Sequence, residues 1–165
     1  MNKDLFNIDR SIGANAMAQA LWTRIKGDSQ DLKYKEFTEK ILEIYFRVYN
    51  RLGYGFLEKI YENAMMIEFE KEGLRATAQY PISVRYDGQV IGEYYADILV
   101  GDRVILEIKA ARSLGPENEA QLLNYLRATD IEVGLLLNFG PEPEIRRKVF
   151  DNARKMNRKQ MGKDS

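Results

Sequence analysis

The stretch Tyr94-Tyr95-Ala96-Asp97-Ile98-Leu99-Val100-Gly101-Asp102-Arg103-Val104-Ile105-Leu106-Glu107-Ile108-Lys109 reads as two strands joined by a tight turn. Pairing the strands so that apolar residues meet sets Val100 against Val104, Ile98 against Leu106 and Ala96 against Ile108. A two-residue turn would instead pair Val100 with Arg103 and Asp97 with Leu106, which wastes the apolar face. The favoured register puts Asp97 directly opposite Glu107 on the other face, with Lys109 beside them. Like charges directly opposite each other destabilise a sheet. A bound cation between the two acids would explain the pairing, and so would Lys109 acting as the partner of a structural ion pair.

Working outward, Asp87-Gly88 is a hairpin turn signal between strands near Gln79–Tyr86 and Val90–Val100, and Val104–Lys109 is the third strand. Upstream, a helix begins at Phe37 with Ile41, Ile44, Tyr45, Val48 and Leu52 on one side and Gly53 as its stop. After Gly53-Tyr54-Gly55 a second helix runs to about Glu72 and ends at Gly73, with Ile60, Ala64, Ile67 and Leu74 as core contacts. Downstream, Pro116 opens a helix that carries Ala120, Leu123 and Leu126 inward. Val133–Phe139 is a continuous apolar run suited to a strand buried on both faces, and Glu144–Phe150 fits either a last strand or a helix. Residues 1–34 read as an extension in which Met17, Leu21 and Ile25 are spaced for a short amphipathic helix, broken by Gly27-Asp28-Ser29. That extension either covers the core or contacts a partner. The organisation is an N-terminal helical extension (1–34), an α/β domain (35–153) and a basic tail (154–165).

Composition narrows the chemistry. The chain of 165 residues suffices for one domain with a real core. It has no run long and apolar enough to span a bilayer and no signal-peptide core at its start, so a soluble cytoplasmic protein without membrane contact is expected. There is no Cys and no His. Disulfides, thiolate zinc sites, cysteine nucleophiles and imidazole bases are therefore excluded. Any metal would be held by oxygen ligands, which favours magnesium, manganese or calcium. Net charge is zero, yet residues 144–165 hold eight Lys or Arg against three Asp or Glu. Arg146-Arg147-Lys148, Arg154-Lys155 and Arg158-Lys159 would serve as a phosphate-attracting arm or simply as a solvated tail.

Three further positions stand out. Glu58 falls in the first turn of the second helix, where the helix dipole alone justifies a carboxylate. Tyr61, three residues on, shares its face, to hydrogen-bond nearby or merely to pack. Gln121 and Tyr125 form another same-face pair on the later helix. Taken together these elements resemble the GxxExxY proteins, a branch of the PD-(D/E)XK nuclease superfamily. Gly55, Glu58 and Tyr61 match the naming motif, and Asp97 with Glu107-Ile108-Lys109 matches the superfamily signature. Gln121-Leu122-Leu123-Asn124-Tyr125 is similar to the Gln-x-x-x-Tyr element of RecB-like nucleases, and Leu135-Leu136-Leu137-Asn138-Phe139-Gly140 to the closing strand. The resemblance runs from about Phe37 to Phe150 and leaves the extension and the tail uncovered.

The resemblance implies a restriction-endonuclease-like core, a mixed four-stranded sheet flanked by helices, that cleaves phosphodiesters of DNA or RNA with Mg2+ or Mn2+. Asp97, Glu107 and the Ile108 carbonyl would hold the cation, with Glu58 adding a carboxylate directly or through water. Lys109 would orient the nucleophile or stabilise developing charge, and Gln121 and Tyr125 would position Lys109, the water or the nucleic-acid backbone. A homodimer is expected if both strands of a duplex are cut. Two other readings remain beside this one. The chain would be a nucleic-acid-binding or regulatory module that rarely cuts, or a partner-binding protein that docks through its N-terminal segment.

Overall fold

The hairpin forms in the register that its apolar residues dictate. In the computed structural model, which describes residues 13, 16–20 and 33–155, β1 (Ala76–Tyr86), β2 (Gln89–Val100) and β3 (Val104–Lys109) run antiparallel in succession. Asp87 and Gly88, both at positive φ, make the two-residue turn between β1 and β2. Val100 pairs with Val104 and Ile98 with Leu106. β4 (Val133–Phe139) lies parallel to β3, and β5 (Pro143–Val149) lies antiparallel to β4.

The sheet therefore has five strands in the order β1-β2-β3-β4-β5, one more than expected. The addition is the segment whose sequence fits either strand or helix. It runs along the sheet edge, where charged residues are tolerated and discourage further pairing. Those charges are committed within the fold. Arg146 and Lys148 both pair with Glu119, Arg146 also reaches Glu144 at 3.3 Å, and Arg147 Nη2 donates to the Lys33 carbonyl at 3.0 Å. Lys155 Nζ donates to the carbonyls of Thr129 and Ile131. Much of the expected phosphate-attracting arm is thus tied down, while Arg158 and Lys159 lie outside the described residues.

Helices α1 (Lys35–Leu52) and α2 (Glu58–Lys71) cover one face of the sheet, where Ile41, Tyr45, Met65 and Phe69 share a core with Ile98, Leu106 and Leu135. Helix α3 (Pro116–Ala128) covers the other, where Leu122, Tyr125 and Leu126 meet Leu99, Ile105 and Leu136. All seven residues of β4 are buried between these layers, as its unbroken apolar run requires. Met17 and Ala18 belong to the α1–α2 core, so this part of the extension covers the domain. Leu21, Ile25 and Gly27-Asp28-Ser29 lie outside the described residues. Among the described residues no helix is long and apolar enough to cross a membrane.

Two helix faces differ from expectation. On α2 the buried stripe is Tyr61, Met65 and Phe69, while Ile60 and Ile67 are exposed and Ala64 and Leu74 only partly covered. Apolar residues surround this helix, so spacing alone does not choose a face. Ion pairing chooses it: Arg47 of α1 binds Glu68 and Glu72, each at 2.9 Å, and turns that side of α2 inward. The Arg47 guanidinium holds the Glu68 carboxyl below its ordinary range despite burial. On α3, Leu126 is buried and Leu123 partly so, as expected, whereas Ala120 is exposed and Leu122 and Tyr125 are buried. Gly134 on β4 leaves the room that Leu122 fills, since a Cβ there would come within 2.6 Å of its Cδ1.

Candidate active site

The β2–β3 ladder stops at Ile98–Leu106, and beyond that point β3 is in register only with β4. The expected Ala96–Ile108 pair is replaced by an interlock of side chains. The Asp97 amide donates to Glu107 Oε1 at 3.2 Å, and the Ile108 amide donates to Asp97 Oδ2 at 2.7 Å. On the neighbouring β1, Gln79, at φ 53°, sits between the pairs Ala78–Ile98 and Tyr80–Ala96. Across this irregularity the strands change face. Ile98 packs toward α1 and α2, whereas Ala96, Tyr80 and Ile82 pack toward α3. The β2–β3 pairing ends where the two acids stand.

Each acid uses one oxygen in the interlock. Among the described residues, Asp97 Oδ1 and Glu107 Oε2 have no hydrogen-bond partner. Glu107 is 4% exposed. Burial, and then the neighbouring Asp97, push its carboxyl up to about 8. Burial likewise raises Asp97, with Glu62 and Glu58 adding to the effect and the Ile108 amide and Lys109 opposing it. Lys109 is partly exposed and lowers both carboxyls through space, but among the described residues it makes no ion pair with either. The structural ion pair considered from the sequence is not formed.

Glu58 enters through its loop. Gly55, at φ 111°, takes a backbone conformation that side chains disfavour. Tyr61 Oη donates to the Gly53 carbonyl at 2.8 Å and accepts from the Phe56 amide at 3.2 Å. Its ring stacks on Phe139 with centroids 4.1 Å apart. Tyr61 therefore sits in the core rather than among the acids, and it staples the loop that delivers Glu58, exposed, to the first turn of α2. Replacing Tyr61 by Phe removes both loop hydrogen bonds and is expected to cost about 1–2 kcal/mol. Urea unfolding of the two proteins measures this, and equal midpoints would refute the staple.

Two residues that sequence reading passed over complete the neighbourhood. Glu62, one turn beyond Glu58, is 4% exposed and accepts from Gln79 Nε2 at 2.9 Å and Lys59 Nζ at 2.6 Å. Its i+4 spacing from Glu58 was the available signal. Asn138, in register with Lys109, is fully buried and grips both backbone groups of Ala111, at 2.9 and 3.0 Å. A lone amide inside an apolar strand was its signal. This grip fixes the course of the chain immediately after Lys109.

From α3, Gln121 Nε2 donates to Tyr125 Oη at 2.9 Å. Burial, and next the Glu107 charge, raise the Tyr125 phenol above its ordinary value. Asp97 and Glu107 are thus joined by hydrogen bonds, Glu58 and Lys109 act on both through charge, and Gln121 is joined to Tyr125. Among the described residues no three acidic side chains form a ready metal cluster. Even so, the two unengaged carboxylate oxygens and the nearby Glu58 are donors of the kind a hard divalent cation takes.

No curated protein matches the chain significantly. Among solved structures, a protein designated SSO0001 is 19% identical with a TM-score of 0.44, covering 88% of this chain and 71% of that one. An alkaline exonuclease (LHK-Exo) from Laribacter hongkongensis is 14% identical with a TM-score of 0.43, covering 84% and 81%. The sequence model of one family spans residues 35–148, which include all of α1 to β4 and every candidate site residue. The chain belongs to the PD-(D/E)XK nuclease superfamily.

Proposed function

We propose that the chain is a metal-dependent nuclease that hydrolyses phosphodiester bonds, of the GxxExxY branch of its superfamily. The observation that carries this reading is the Asp97–Glu107 interlock, which leaves one oxygen of each acid unengaged beside Lys109. Asp97, Glu107 and the Ile108 carbonyl would hold Mg2+ or Mn2+, with Glu58 adding a carboxylate directly or through water. Such an ion supplies Lewis acidity to the phosphoryl group and acidifies a water. Lys109 holds a positive charge at the end of β3, where it orients a water or meets charge growing on the phosphate. Gln121 fixes the Tyr125 hydroxyl, which holds Lys109, a water or the nucleic-acid backbone in place. Tyr61 and Asn138 are positioning residues for the loop of Glu58 and the strand of Lys109.

Cleavage of labelled single- and double-stranded DNA and RNA with Mg2+, Mn2+ or EDTA tests the proposal. Cleavage that requires a divalent ion and disappears in Asp97→Asn is the expected result. Cleavage that survives EDTA or the Asp97→Asn change would refute it.

A further inference from the structure

A groove of about 1070 Å3 opens between the β1–β2 arm and α3, and Gln121 and Tyr125 line it as well as the candidate site. The groove meets the chemistry proposed above through these two residues, while Asp97, Glu107 and Lys109 stand outside its lining. Its β wall presents Ile91 and Tyr94, which are 66% and 49% exposed. The Tyr94 ring lies 5.9 Å from that of Tyr125, at the junction between groove and acids. Ala120 and Asn124, both exposed, face it from α3.

Charge decides what this groove accepts. Three cations line it, Arg85, Arg127 and Lys155, against the two acids Glu117 and Asp130. The cations are largely engaged already. Lys155 is held by two carbonyls, Arg127 by Asn124 and the face of Phe150, and Arg85 by the Gly88 carbonyl. A duplex presents phosphates outward and is held by many free Lys and Arg side chains. An unpaired strand presents bases as well, and bases stack on exposed aromatic rings with little need for net charge. Exposed Tyr94, the aliphatic Ile91 and a nearly balanced charge fit the second ligand.

We infer that this groove binds an unpaired polynucleotide strand, whose bases pack on Tyr94 and Ile91 while its backbone is led past Tyr125 to the carboxylates. This rests on the nuclease reading for its catalytic consequence, but not for binding itself. The test measures fluorescence anisotropy of labelled oligothymidylate, oligouridylate and a matched DNA duplex with full-length Glu107→Gln protein in EDTA. The double change Ile91→Asp, Tyr94→Ala is then added to the same protein. Either single strand is expected to bind at least about tenfold tighter than the duplex, and the added changes to weaken it about tenfold. Comparing the thymidylate and uridylate arms identifies the sugar. Equal or tighter duplex binding, unchanged affinity in the groove variant, or no binding of any strand would overturn the inference.

A second arm separates the two readings. With Glu107 intact, the Ile91→Asp, Tyr94→Ala protein should lose about tenfold on oligonucleotides and clearly less on a small chromogenic phosphodiester, which the groove does not hold. Wild-type protein that binds strands in this pattern but hydrolyses neither substrate would leave the groove standing and refute the nuclease. Ile91 is largely exposed and Tyr94 half-exposed, so a cooperative melt of the variant shows that it still folds.

Discussion

Glu107→Gln is expected to abolish divalent-dependent cleavage and, in the absence of metal, to make the protein more stable. The two effects have one origin. Glu107 is almost wholly buried, faces Asp97, and has no cation paired with it among the described residues. An ionised carboxylate in such a place is costly. Gln keeps the oxygen that accepts from the Asp97 amide and removes the charge. The dependence on pH follows from the sign of the shift. The Glu107 carboxyl is raised from an ordinary value of 4.5 to about 8 in the fold. Wild-type stability is therefore undiminished below about pH 4.5 and is lost as pH rises toward 8, where folded protein must give up the proton. In EDTA the variant should match wild type near pH 4.5 and exceed it by about 1–3 kcal/mol at pH 8.5, several degrees in melting temperature. Adding Mn2+ should raise the wild-type melting temperature and leave that of the variant unmoved. Coincident melts in EDTA at pH 8.5, or retained cleavage, would refute the assignment.

Why these positions were legible in the sequence, and others were not, has a physical basis. Strand registers between half-buried strands are set by apolar matching, and Val100–Val104 and Ile98–Leu106 left one good answer. The same logic carried the register one pair too far. Nothing in residues 94–109 signals the left-handed Gln79 on the neighbouring strand, opposite the point where Ile98 and Ala96 turn to different cores and the interlock of Asp97 and Glu107 stands in place of the Ala96–Ile108 pair. The bland explanation of Glu58, a carboxylate at a helix start, was sufficient by itself. Only the three-dimensional role of Tyr61 shows what Gly55 and Tyr61 do on either side of Glu58, since one turns the loop and the other staples it. The face of α2, and Ala120 on α3, differ from the periodic expectation because distant partners, Arg47 in one case and the space beside Gly134 in the other, bear on these helices, while Leu126 and Leu123 pack as expected. Long-range pairing of that kind leaves no periodic trace. The basic residues of β5 illustrate the converse: a charge run looks free in sequence until its acids, Glu119 and Glu144, fold against it.

Lys109→Ala should lower cleavage by about 10²–10³-fold while sparing the response to metal, the opposite pairing of effects from Glu107→Gln. Lys109 is a charge donor and offers no ligand to a cation. Removing it takes a positive charge away from the acids, so the Mn2+-induced rise in melting temperature should be retained or enlarged. Without metal the sign reverses. Lys109 lowers the carboxyls of both Asp97 and Glu107. Its loss raises them further, and stability at pH 8.5 in EDTA should fall below that of wild type, with the difference shrinking as pH falls and the acids take up protons. The Asn138 grip on Ala111 keeps the end of β3 in place in the variant, so a merely structural role for Lys109 predicts little change in rate. Lys109→Arg restores the charge in a broader, planar group and should recover the metal-free stability but only part of the rate. Wild-type rates for Lys109→Ala, or loss of its Mn2+ response alongside its activity, would remove Lys109 from the reaction and make it an accessory to the acids instead.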